Sequence, residues 1–151
     1  MVRYARTEHE NESKKPLSPP TKQAPLKTHV ADFWRDREII HIRFHPTPTH
    51  GIEEARIVVD THNDLAKGVK TAVLADMKNI AVGADKNARR YYVGPESSEY
   101  KLGMAMLITS PLQRMFGNIF LRLDKPPYPT KIFTNEGEAL DWLSALSPRD
   151  E

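Results

Sequence analysis

The stretch Ala72 to Val93 reads AVLADMKNIAVGADKNARRYYV, and its reading decides the fold. Val73, Leu74 and Ala75 form an apolar run too short for a buried helix, so Thr71 to Asp76 is expected to be a buried strand. Met77 to Ala84 follows as a loop, and a helix is expected from Asp85 to about Tyr92, broken by Gly94 and Pro95. A strand leading through a loop into a helix is the repeating unit of an α/β sheet. Asp76 stands at the strand's C-terminal end, where such sheets present ligands and catalytic groups.

Toward the N-terminus, Ile40, Ile42 and Phe44 alternate with His41, Arg43 and His45, the period-two signature of a half-buried strand. Val30 to Trp34 and a turn over Arg35 to Arg37 precede it, which predicts an N-terminal hairpin. After Gly51, the residues Ile52, Ala55, Val58, Val59, His62, Leu65 and Ala66 recur at steps of three and four. They predict an amphipathic helix over 52–67, stopped by Lys67 and Gly68.

Toward the C-terminus, Leu102 to Ile108 is a second apolar strand, and Ser110 and Pro111 suit a helix N-cap and its first residue. The next helix, 111–123, carries Leu112, Met115, Phe116, Ile119, Phe120 and Leu123 as an apolar stripe. Gln113, Arg114, Gly117, Asn118 and Arg122 form its polar side. Thr130 to Phe133 is a short strand, and Ala139, Leu140, Trp142, Leu143 and Leu146 make the face of a last helix. The order is β-β-α-β-α-β-α-β-α, an α/β fold with a mixed sheet of about four to five strands and about four helices.

Length and composition frame this reading. The 151 residues suit one domain, expected over 28–147, because a chain of this size buries roughly 70% of its unfolded surface. Residues 1–27 contain Pro16, Pro19, Pro20 and Pro25 without apolar periodicity, so a flexible tail is expected there, with a short tail at 148–151. That N-terminal segment holds six basic and three acidic residues, whereas the rest holds 16 basic and 17 acidic. The folded part thus has no basic surplus for nucleic acid. The chain has no cysteine, which excludes disulfides, thiol catalysis and Cys-ligated metal sites. No run reaches the roughly 20 apolar residues of a membrane span, and the first residues lack a signal peptide's apolar core, so a cytoplasmic location is expected.

Chemistry is sparse. His41 and His45 have the i, i+4 spacing of a helical zinc site, but on a strand they lie about 13 Å apart, at roughly 3.3 Å per residue. No metal site is assigned. The seven glycines, at 51, 68, 83, 94, 103, 117 and 137, form no phosphate-binding loop, and no cofactor is assigned. Ser110 lacks the surroundings of a nucleophile elbow, because Pro111 removes an amide that an oxyanion hole would use; helix capping is the reading it supports. Asp76 has two readings, a carboxylate that caps the following turn or a catalytic group, and with no base or oxyanion donor beside it no catalytic residue is assigned. Arg89 and Arg90 beside Tyr91 and Tyr92 suit either a solvated face or an acidic partner. Gly117 next to Asn118 permits a close approach, by another element, another chain or a ligand.

The strand–Asp–loop–helix segment and the element order resemble the STAS fold of sulfate transporters and anti-sigma factor antagonists, over residues 30–146. The block SPLQRMFGNIFLRLDKPPYPTKIFTNEGEALDWL is also similar to a group of uncharacterised bacterial STAS-like proteins related to the lipid-binding CRAL-TRIO fold. In phosphorylatable antagonists an Asp-Ser pair opens the helix after the central strand. The matching stretch here, Gly83-Ala84-Asp85-Lys86-Asn87, carries no hydroxyl.

The resemblance therefore implies a non-enzymatic regulatory module that binds a protein partner without the phosphoswitch. Its candidate recognition surface is the loop 77–84 with Asp76, Asp85, Lys86, Arg89 and Arg90. Ser110, Arg114 and Asn118 are secondary candidates. A homodimer is expected, because the N-terminal hairpin is read as exposing strand edges and large aromatics that need covering. The alternative is a lipid-binding or small-molecule-binding domain, with an enclosed apolar pocket above a few hundred cubic ångströms beside strand 102–108, under a movable helix 111–123.

Overall fold

A computed structural model describes residues 19–146. Among these described residues six strands lie side by side in the order in which the chain makes them. β1 (Leu26–Lys27), β2 (Ala31–Asp36) and β3 (Ile39–Phe44) are antiparallel neighbours. β4 (Thr71–Asp76), β5 (Lys101–Leu107) and β6 (Thr130–Phe133) continue the sheet in parallel from β3. The helices are α1 (Ile52–Ala66), α2 (Lys86–Tyr92), α3 (Pro95–Ser98), α4 (Pro111–Ile119) and α5 (Glu136–Ser144).

The expected α/β fold is present, with one strand more than the sequence reading and with the short helix α3 where Glu96 to Tyr100 reads as a turn or helical piece. β1 is two residues long, too short for any periodicity, and lies in the segment read as tail; the first 18 residues and 147–151 fall outside the described part. The hairpin turn is Arg37-Glu38, where Arg37 takes a left-handed conformation at φ 60°. Lys67 and Gly68 both have positive φ at the end of α1, as a helix stop requires.

Strand alternation divides the core in two. One face carries Ile40, Ile42, Phe44, Val73 and Ala75 against Val58, Leu65 and Ala66 of α1. The other carries Ala72, Leu74, Ala105 and Leu107 against Ala139 and Leu143 of α5. Phe33, Trp34 and Phe44 are buried within the chain, which removes the uncovered aromatics behind the homodimer expectation. β1 also pairs with the edge of β2.

Helix α4 corrects the sequence reading. The apolar stripe was expected to face the core. Only half of it does: Phe120 is buried and Phe116 and Ile119 are half-buried, whereas Leu112 is 47% exposed, Met115 49% and Leu123 70%, and the polar side contributes buried Gln113 and Gly117. Gln113 decides this orientation: its Nε2 donates to the carbonyls of Lys78 and Ile80, at 2.9 and 3.2 Å, and its Oε1 accepts from the Thr109 amide at 2.8 Å. Those loop groups need partners, and one inward glutamine supplies them. Gly117 turns inward because a Cβ there would lie 2.8 Å from Ile132 Cδ1, so its close approach is to β6. Past Ile119 the helix widens into a π-turn over Phe120–Asp124 and stops at Lys125, φ 51°.

Candidate functional site

Between the sheet and α1, α2 and α4 lies a partly open cavity of about 110 Å³. Ile42, Ala75, Met104 and Met106 form its floor, and Val58, Ile80, Phe116, Ile119 and Phe120 are among its walls. Its place beside β5 and α4 is the one expected of an apolar pocket. It differs from that expectation in being partly open instead of enclosed and in having a volume below a few hundred cubic ångströms. Unbranched methionines re-pack easily, and an apolar void of about 150 Å³ already admits benzene.

Polar groups enter this lining at few points. His50, at the mouth of α1, places Nε2 2.6 Å from the Tyr92 hydroxyl, and the Tyr128 hydroxyl donates to the Tyr92 carbonyl at 3.1 Å. Burial lowers the His50 pKa and raises that of Tyr92 well above the ordinary phenol value. Arg89 is held at the rim, its Nε donating to Asp124 Oδ2 at 2.8 Å and its guanidinium to the Ala84 carbonyl at 3.1 Å.

Lys101 is the remaining polar wall residue, and strand geometry brings it there. Thr71 pairs with Lys101 but Ala72 pairs with Gly103, so Leu102 is an extra residue in β5. Strict alternation from Met104 and Met106 would put position 102 on the cavity side and Lys101 on the other. The bulge reverses this before Leu102, and Lys101 borders the cavity with the two methionines. It is 7% exposed. Its Nζ donates to the Ser97 carbonyl at 2.6 Å and to Ser97 Oγ at 3.0 Å, and it lies 5.7 Å from the Tyr128 ring centroid. Burial alone lowers its pKa to about 7.

A second, polar cleft of about 340 Å³ opens on the opposite face, lined by Trp34, His41, Arg43, Asp76, Lys78 and Glu136 among others. His41 stacks on Trp34 with ring centroids 4.9 Å apart, and Arg43 lies 4.9 Å over the same indole. His45 points elsewhere, its Nε2 2.9 Å from Asp32 Oδ1, beside the Arg43–Asp32 pair at 2.9 Å.

The residues singled out in the sequence do not converge. Asp76 lies in the polar cleft, where it accepts the Lys78 amide at 3.0 Å, the turn-capping geometry. Asp85 caps α2 by accepting the Ala88 amide at 2.9 Å, and its own amide donates to the His50 carbonyl at 2.9 Å. Arg89 alone of the set borders the apolar cavity, and its pairing with Asp124 commits it to a structural contact. Lys86 and Arg90 are exposed. Ser110 caps α4 by accepting the Gln113 amide at 3.1 Å; it borders neither space, and neither do Arg114 and Asn118. Sequence reasoning missed His50, Tyr92, Lys101 and Tyr128 as a group, because the topology alone unites them.

Comparison with known proteins adds a family and a fold. A family model described as a domain of unknown function, DUF7793, matches residues 33–147. A crystal structure of an uncharacterized protein from the DUF3478 family with a SpoIIAA-like fold, from Shewanella loihica, is similar with a TM-score of 0.55 and 15% identity. The match covers 78% of this chain and 97% of that one. At that identity the likeness shows the fold, which is STAS-like. No curated protein matches the sequence. Among the described residues no helix is long and apolar enough to cross a membrane.

Proposed function

Starting from a chain that belongs to the DUF7793 family, we propose that this protein is a binding module that takes a small apolar ligand into the cavity under α4. The observation that carries the reading is the lining itself: a concave, largely apolar space with a few converging polar groups, the usual make-up of a ligand site. The exposed stripe of Leu112 and Met115 adjoins Phe116 and Ile119 in the cavity wall, so an apolar ligand meets apolar surface on its way in. Displacement of α4 then accommodates a ligand larger than the resting volume.

Toluene tests this reading on the full chain labelled at methionine methyls. Saturable shifts of the Met104 and Met106 signals are expected, and their loss in Val58→Phe, which fills the cavity. Absence of the shifts, or their persistence in a folded Val58→Phe protein, overturns the proposal.

A second reading, a regulatory protein-interaction module, draws on the neighbouring surface. Val82 is 40% exposed in the loop before α2, and Lys86 and Arg90 of that helix are exposed as well. Affinity capture from the native cell with wild type and a Val82→Ser, Lys86→Ala, Arg90→Ala variant tests it. Loss of one specific partner supports this surface, and identical captures remove it.

A further inference from the structure

Lys101 is a costly residue at its position. A buried amine in an apolar wall is unfavourable when charged, and such a group normally faces a carboxylate. Here the cavity lining contains no Asp or Glu among the described residues, and no ion pair of Lys101 is found among them. The local structure nevertheless holds this side chain in place. The β5 bulge turns it to the cavity face, and the one-turn helix α3 presents fully buried Ser97, whose two oxygens accept from Nζ. An ammonium has three N–H donors, and Ser97 engages two.

The other groups around it are equally free of negative charge. Tyr128 offers a ring face, and His62 of α1, whose pKa burial and then the Lys101 charge depress to about 3, is neutral. The His50–Tyr92 pair lies on the same lining, and Arg89 is already matched by Asp124. A bulge that redirects one side chain, next to a cavity, is a recurrent device of functional sites.

We infer that the cavity takes a small monocarboxylic acid, with its carboxylate on Lys101 Nζ and its apolar body between Met104, Met106 and Phe116. This rests on the apolar-ligand reading above and names the class of ligand. The carboxylate supplies the anion that the protein omits, accepting the third N–H, and the ion pair forms among largely apolar side chains, where its attraction is less screened than at the surface. Benzene fits an apolar void of about 150 Å³, so even an acid the size of benzoate requires a small displacement of α4 from the resting cavity of about 110 Å³. Acids with longer chains require a larger one.

Benzoate and toluene, matched in shape, separate this inference from the reading beneath it. Both are titrated into the full chain at pH 6.5, with the Met104 and Met106 methyl signals as readout. Benzoate is expected to bind at least tenfold more tightly than toluene, and the preference to vanish in Lys101→Met while toluene binding remains. In wild type, raising the pH to 9 is expected to weaken benzoate at least tenfold and leave toluene unchanged, a readout that survives failure of the variant to fold. Equal affinities for the two probes, or a benzoate preference that persists in Lys101→Met or at pH 9, overturn the carboxylate assignment alone. Failure of both probes to move either methionine overturns the cavity reading as well.

Discussion

On the α5 side, the sheet presents Ala72, Gly103 and Ala105, and the helix closes on them with Ala139 and Leu143; on the α4 side it presents Met104 and Met106, and a cavity remains. The small residues explain the first face. A Cβ on Gly103 would lie 3.0 Å from the Pro129 carbonyl and overlap Leu146, so backbone and helix are already at contact distance, and Ala105, Ala139 and Leu143 are completely buried. On the second face long side chains hold the layers apart, and α4 is positioned by the hydrogen bonds of Gln113 more than by its apolar stripe. Close packing fixes a structure, whereas a layer held at its edges can open.

Truncation should expose this difference. Leu143→Ala is expected to cost about 4 kcal/mol in urea unfolding and Met106→Ala about 2, because the crowded face has less freedom to collapse around a void. Equal losses would break the comparison.

The buried amine gives the cavity face a pH dependence of its own above neutrality. Unfolded Lys101 holds its proton to about pH 10.4, and the folded protein releases it near pH 7. Between those values the unfolded chain binds more protons, so stability rises with pH; below 7 the burial cost is fully felt, and above the upper value it is absent. Unfolding of wild type and Lys101→Met between pH 7 and 10 should show a relative gain for wild type on the order of 3 kcal/mol. A constant difference would remove the amine as a source of strain.

Gly83→Ala probes the cavity rim. Its Cβ would meet the Phe116 ring at 2.7 Å, so the ring must swing, at a cost of about 1–2 kcal/mol. Faster exchange of the α4 amides in this variant would sharpen the contrast, and unchanged exchange would blunt it. Asp85→Ala removes the cap of α2 and is expected to cost about 1 kcal/mol by thermal unfolding, with the α5 amides keeping their protection from hydrogen exchange.

The same contrast separates what the sequence discloses from what it hides. β3, β4 and α1 are readable because their side-chain periods match their burial, and Ser110, Asp85 and Asp76 are readable as caps because capping is local chemistry. Two polar residues have orientations that no local pattern announces. Gln113 faces inward for carbonyls 33 and 35 residues earlier in the chain, which no period within α4 announces. Lys101 reaches the cavity through one extra residue in β5, visible only against the register of β4. The apolar wall could thus be anticipated from Met104, Met106, Phe116 and Phe120, and its polar end could not.

The strand order has a consequence for how the chain folds. Since β1 to β6 lie in the order of synthesis, each new strand pairs with the one made just before it, and no strand waits for a later one to be inserted between it and its neighbour. The hairpin of β2 and β3 forms a template, and each helix–strand unit extends it by a single step, which keeps loop closures short and suits folding from the N-terminus as the chain emerges. The α5 face closes last. A nascent chain that ends before Glu136 therefore lacks the Ala139 and Leu143 that cover Ala72, Leu74, Ala105 and Leu107, and exposes an apolar sheet face of the kind that favours aggregation.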